Sequence, residues 1–79
     1  MKVYVKLYAT LTKYAGGSIM HEAISVELPE GSTVRDLYFR LGIPENEIKT
    51  TFVNASIRPP DHRLSDGDEV GIFPPVGGG

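Results

Sequence analysis

The chain of 79 residues contains no cysteine. Disulfides, thiol catalysis, zinc knuckles and iron–sulfur ligation are therefore closed to it on its own. It also lacks any excess of positive charge, with eight Lys and Arg against ten Asp and Glu and a net charge of −2. Without a basic run to neutralise phosphates, no nucleic-acid partner is expected. No apolar run approaches the roughly 18 residues of a membrane span, and no apolar core of signal-peptide kind follows Lys2. The expectation is a cytoplasmic protein with no membrane partner. Metal-ligating patterns are missing too. His21 and His62 lie far apart, and the acidic run Asp66-Gly67-Asp68-Glu69 lacks the spacing of a calcium loop. It reads as a turn with solvated acids, and no metal site is expected.

Size sets a further bound, because a chain this short buries only about 60% of the surface its unfolded form exposes. One thin core is the limit, which excludes a bilobal enzyme. Apolar residues make up 41% and charged residues 23%, ordinary values for a folded domain rather than a disordered one. Charge is mildly uneven. Residues 1–40 carry five basic and four acidic side chains, and residues 41–79 carry three basic and six acidic.

Residues 2–8 alternate, with Val3, Val5 and Leu7 on one side and Lys2, Tyr4, Lys6 and Tyr8 on the other, the period of a half-buried strand. Residues 10–15 form one or two helical turns stopped by Gly16-Gly17. Alternation returns over residues 20–28, where Met20, Ile24, Val26 and Leu28 share a side. After the break at Pro29-Glu30-Gly31, Thr33 and Asp36 stand at capping-box spacing. Val34, Leu37, Tyr38 and Leu41 then make a single helical stripe that ends at Gly42.

Residues 45–49 form a short turn begun by Pro44, and residues 51–54 a short strand followed by a turn at Asn54-Ala55-Ser56. That triplet matches a glycosylation sequon but reads as a tight turn. Pro59-Pro60 confine the next segment to an edge or a loop. Gly67 supplies the positive-φ position of the turn at residues 65–68, and residues 69–73 are the last strand, with Val70 and Ile72 inward and Phe73 outward.

Strand, strand, one main helix and further strands predict an α+β domain in which the helix packs across a mixed sheet. The β-grasp arrangement of ubiquitin-like proteins has this element order, with residues 2–8 parallel to residues 69–73. Element order alone also admits a ferredoxin-like variant. The expected core is Val3, Val5, Leu7, Val26, Val34, Leu37, Leu41, Val53, Val70 and Ile72. Phe73 is expected to anchor an exposed apolar patch together with sheet neighbours and Pro75. The competing reading sets it against the Pro59-Pro60 loop.

The chain ends in Pro74, Pro75, Val76, Gly77, Gly78 and Gly79. Three terminal glycines read either as a frayed end or as a thread without side chains that carries a carboxylate into a narrow channel. The run Leu64-Ser65-Asp66-Gly67-Asp68-Glu69-Val70, then Phe73-Pro74-Pro75-Val76 and terminal Gly78-Gly79, resembles the small subunit of molybdopterin synthase, a ubiquitin-like sulfur carrier. Gly77 departs from that pattern as an extra glycine.

The resemblance implies a β-grasp domain over residues 1–75 and a flexible glycine tail over residues 76–79. It implies that Gly79 carries the reacting carboxylate, that Gly77 and Gly78 thread it, and that Phe73, Pro74, Pro75 and Val76 meet partners. An adenylyltransferase of the ubiquitin-activating type would use ATP to adenylate Gly79. A sulfur-donor enzyme would then yield a thiocarboxylate, which gives sulfur to a pterin precursor in the synthase large subunit. No cofactor would stay bound, and the chain would not be catalytic alone. A thiamine-type sulfur carrier and a ubiquitin-like modifier joined to target lysines are the alternatives, beside a plain interaction domain with a frayed end.

Overall fold

The computed structural model describes residues 1–15 and 23–75. Its elements in chain order are β1 (Lys2–Leu7), a 3-10 helix (Ala9–Ala15), β2 (Ile24–Glu27), α1 (Val34–Leu41), a 3-10 turn (Glu45–Glu47), β3 (Thr50–Val53), β4 (Ser56–Ile57) and β5 (Glu69–Phe73). The strands form one five-stranded sheet in the order β2-β1-β5-β3-β4. β1 and β5 run parallel at its centre, with Val5 opposite Val70 and Leu7 opposite Ile72. β2 is antiparallel to β1, β3 to β5, and β4 to β3. This is the β-grasp order, and it rules out the ferredoxin-like variant.

Local chemistry accounts for the helix. Thr33 caps it in an extended conformation, accepting from the Asp36 amide at 3.3 Å while the Asp36 carboxylate accepts from the Thr33 amide at 2.8 Å. Gly42 ends it at φ 75°, and the amide of Ile43 reaches back to the Tyr38 carbonyl. The next two amides of the first turn are satisfied from outside the helix. Val34 donates to the His62 carbonyl at 2.9 Å and Arg35 to the Pro60 carbonyl at 2.8 Å. The Pro59-Pro60 loop thus sits on the helix start, and β4 before it is an edge strand of two residues.

One face of the sheet is covered. Val3, Val5, Leu7, Val26, Val53, Val70 and Ile72 point to the same core as Val34, Leu37 and Tyr38 of α1. Leu41, expected in the core, is only partly buried, because the stripe's last member overhangs the sheet margin. Leu11, Leu28, Tyr38, Ile43 and Leu64 are buried as well. The first and last of these close the ends of the core from segments that carry no strand pattern.

The acidic turn is not uniformly solvated. Asp68 is buried, accepting from the Ser65 amide at 2.8 Å and from the Asn54 side-chain amide at 2.9 Å. Asp66 accepts from the Lys2 amide at 2.7 Å. These carboxylates tie the turn to β1 and to the β3–β4 hairpin, so they act as backbone staples. Met20, His21 and the Gly16-Gly17 stop lie outside the described residues, as do Val76, Gly77, Gly78 and Gly79.

Candidate functional site

The pleat that buries Val3, Val5 and Leu7 sends Tyr4, Lys6 and Tyr8 to the opposite side. On β5 the same alternation presents Glu69, Gly71 and Phe73, and on β3 it presents Phe52. Among the described residues no helix covers this side. Register decides which of them meet: Leu7 opposite Ile72 brings Tyr8 beside Phe73, while Gly71 lies between Lys6 on one neighbour and Phe52 on the other.

The result is an aromatic hollow. Tyr8 and Phe73 stack with ring centroids 4.1 Å apart and planes 8° from parallel. Phe52 meets Phe73 edge-on at 5.5 Å and 77°. Lys6 holds its ammonium 5.8 Å from the Tyr8 ring. The hollow has a volume of about 690 Å³ and is lined by these rings, Tyr4, Gly71 and the Lys6 and Glu69 stems, with Ala23, Ala55 and Val70 at its margins. Phe73 therefore faces outward as expected but is half-buried rather than exposed, because it packs against Tyr8 and Phe52, and neither of these belongs to the Pro59-Pro60 loop. Pro75 is exposed but does not line the hollow.

The exit of β5 is held on both sides. Tyr8 donates its amide to the Ile72 carbonyl at 3.2 Å, and Lys49 donates to the Phe73 carbonyl at 2.8 Å. Backbone bonding thus runs to Phe73, the last residue before Pro74-Pro75. Of the predicted site residues, Phe73, Pro74 and Pro75 lie at this end of the sheet, and Val76, Gly77, Gly78 and Gly79 lie outside the described residues.

Tyr8, Phe52 and Gly71 escaped the sequence reading of the site. The available signal was the outward register of β1: once β1 and β5 are parallel, every second residue of both must share the uncovered face.

The fold is a ubiquitin-like β-grasp domain whose uncovered sheet face carries an aromatic hollow near the end of β5. Comparison with known proteins gives this class its family: residues 5–79 match the ThiS family, and the chain belongs to that family of sulfur carriers. Among solved structures it is similar to a Pyrococcus furiosus protein assigned as molybdopterin converting factor subunit 1. Identity there is 33% over 96% of this chain and 99% of that one, with a TM-score of 0.74. It shares its fold with small archaeal modifier protein 1 of Haloferax volcanii, at 23% identity over 95% and 98% of the two chains and a TM-score of 0.73. The fold is shared too with a chain of the complex of subunits 1 and 2 of molybdopterin-converting factor from Helicobacter pylori. There identity is 21%, all of both chains is covered, and the TM-score is 0.62.

Proposed function

We propose that this chain is the sulfur-carrying small subunit of a molybdopterin synthase, acting in the cytoplasm. The observation that carries the reading is the strand end: an anchored β5 with Phe73-Pro74-Pro75 leading to Gly78-Gly79, in a chain similar from end to end to a molybdopterin converting factor subunit 1.

A carboxylate is a poor electrophile. An adenylyltransferase partner joins the Gly79 carboxylate to the α-phosphorus of ATP, releasing pyrophosphate. Hydrosulfide supplied by a donor enzyme then attacks the acyl carbon through its sulfur and expels AMP, leaving a thiocarboxylate. The large subunit supplies acid, base and the pterin site, and the carrier supplies sulfur. Phe73, Pro74, Pro75 and Val76 meet the partner, and Gly77 and Gly78 pass where a Cβ would not. ATP is consumed by the activating enzyme, and this chain retains no cofactor.

The test uses thiocarboxylated full-length chain, the large subunit encoded in the same genome and the cyclic pterin precursor, with dithiolene formation followed by mass spectrometry. Product formation that is lost on deleting Gly78 and Gly79, with the melting temperature unchanged, supports the reading. Sulfur that stays on Gly79 points to a thiamine-type carrier, and an isopeptide adduct on a lysine points to a modifier.

A further inference from the structure

β2 is an edge strand of the sheet, and its hydrogen-bonding phase can be read from its far end. Met1 and Leu28 exchange both backbone bonds, the Met1 amine donating to the Leu28 carbonyl at 2.8 Å and the Leu28 amide to the Met1 carbonyl at 2.9 Å. Antiparallel alternation then turns the backbone groups of Val26 and Ile24 toward β1 and those of Ser25 and Glu27 outward. Lys2 and Tyr4, their partners in register, agree with this phase: their amides bond Asp66 and Asp68 on the opposite side of β1. Ser25 and Glu27 thus each offer an amide and a carbonyl to a further strand. A trough runs between this edge and α1. Its Leu28 end is a hollow of about 470 Å³ walled by Pro29 and Phe39, and its Ile24 end a hollow of about 570 Å³ lined by Tyr14, Ala15, Ile24 and Leu41. Glu27 and Arg40 border both hollows and so mark the middle, and neither makes an ion pair among the described residues. Phe39 is 87% exposed, so its own chain gives the ring almost no apolar cover.

We infer that β2 is a self-association edge: two copies of this chain pair antiparallel through it, about a twofold axis at Val26, and join their sheets into one. The edge matches itself in that register. Ser25 meets Glu27 of the second copy and Glu27 meets its Ser25, so every outward amide and carbonyl finds a partner and each pair of side chains lies on one side of the sheet. The carboxylates are spared direct opposition, because Glu27 faces serine and not its own copy. Ile24 comes opposite Leu28 of the second copy, which reverses the ends of the trough. Each Phe39 is thereby carried to the other copy's hollow between Tyr14, Ile24 and Leu41. A projecting group and a recess at opposite ends of one edge are what an isologous contact requires, and this fits a second copy rather than an unrelated segment. Near the axis two Arg40 and two Glu27 side chains gather with no net charge, so each arginine has a carboxylate of either copy to face. The trough lies on the α1 side of the sheet and the aromatic hollow on the other, so pairing leaves Tyr8, Phe52 and Phe73 uncovered.

The experiment is sedimentation equilibrium of the full-length chain alone, from about 10 μM to about 1 mM, with Phe39→Ala and Ser25→Pro beside it. Wild type is expected to show a reversible monomer–dimer equilibrium with a Kd on the order of 100 μM, as for a small transient interface. Phe39→Ala is expected to weaken it about tenfold or more without lowering Tm, since the ring is exposed in the single chain. Ser25→Pro removes an amide that β1 does not use, and is expected to abolish the dimer while the circular dichroism stays that of wild type. Hydrogen exchange by NMR locates the seam: the Ser25 and Glu27 amides are expected to slow as concentration rises, and that of Ile57 on the opposite edge to stay unchanged. A mass of one chain up to about 1 mM overturns the inference, and so do masses above two chains, because twofold pairing closes. A dimer that both variants leave within about twofold of wild type overturns it too, by setting the contact elsewhere. If Ser25→Pro fails to fold, the Phe39→Ala titration and the wild-type exchange still decide.

Discussion

Tyr8 and Phe73 stack at the shared end of two parallel strands that are 65 residues apart in sequence (73 − 8), with ring centroids 4.1 Å apart. The stack is an intramolecular contact that leaves one face of the pair in the open hollow, so Phe73 has a stake in folding and in docking. Phe73→Ala is expected to cost about 1 kcal/mol of stability, the value of an aromatic pair. Loss of partner affinity is expected to be larger, about 2 kcal/mol or more, as for an interface anchor. Denaturant unfolding and calorimetric titration of the same variant measure the two. A stability loss that exceeds the affinity loss would place Phe73 in the core.

Leu37 is fully buried on α1 between the helix and the sheet. Leu37→Ala is expected to destabilise the domain by about 2–5 kcal/mol through lost transfer energy and the cavity left behind. Urea unfolding checks this, with an unchanged m-value showing that the denatured state is the same.

Tyr38 and Thr51 share a hydrogen bond inside the core, linking α1 to β3. Tyr38→Phe is expected to cost about 1–3 kcal/mol because the Thr51 hydroxyl is left buried without its partner, and adding Thr51→Val is expected to restore most of the loss. Burial raises the Tyr38 phenol above its ordinary value, more than the Thr51 bond lowers it. The folded chain thus holds this proton more tightly than the unfolded one. Its contribution is complete below about pH 10 and is lost as pH rises through the raised folded value. Tyr14, raised by burial and by the Glu47 carboxylate that accepts its hydrogen bond at 2.9 Å, acts in the same direction. Stability measured from pH 8 to about pH 11 is expected to fall at the alkaline end, less steeply in Tyr38→Phe.

Asn54 and Ala55 both have positive φ, 51° and 70°, in the two-residue turn between paired Val53 and Ser56. A turn of this kind favours Asn-Gly. Ala55→Gly is expected to stabilise the chain by about 0.5–1 kcal/mol, since the left-handed conformation strains an alanine. Asn54→Ala is expected to destabilise it, because Asn54 bonds both the Asp68 carboxylate and the Glu69 amide. Thermal melts of the two variants are expected to move in opposite directions.

Much of the architecture was legible in the chain itself. Period-2 runs marked β1 and β5, and the Thr33/Asp36 box with Gly42 bounded α1 to the residue, because capping and left-handed turns depend on neighbours a few positions away. Gly67 and the prolines placed the turns on the same local grounds. The outward face of Phe73 followed from alternation.

Other features depended on contacts between distant residues. Burial of Leu11 and Leu64, which lie in segments without strand periodicity, depends on the ends of the core they close. The role of Asp66 and Asp68 as staples required β1 and the β3–β4 hairpin to be brought beside the turn, since an acidic loop reads as solvated until its amide donors are in place. The aromatic hollow was decided by tertiary structure alone. Tyr8, Phe52 and Phe73 belong to three strands, and only the parallel register of β1 with β5 and the antiparallel register of β3 with β5 set them around Gly71. Local sequence determines which way a side chain points from its strand; which side chains it meets there is set by strand order and register, which are properties of the whole sheet.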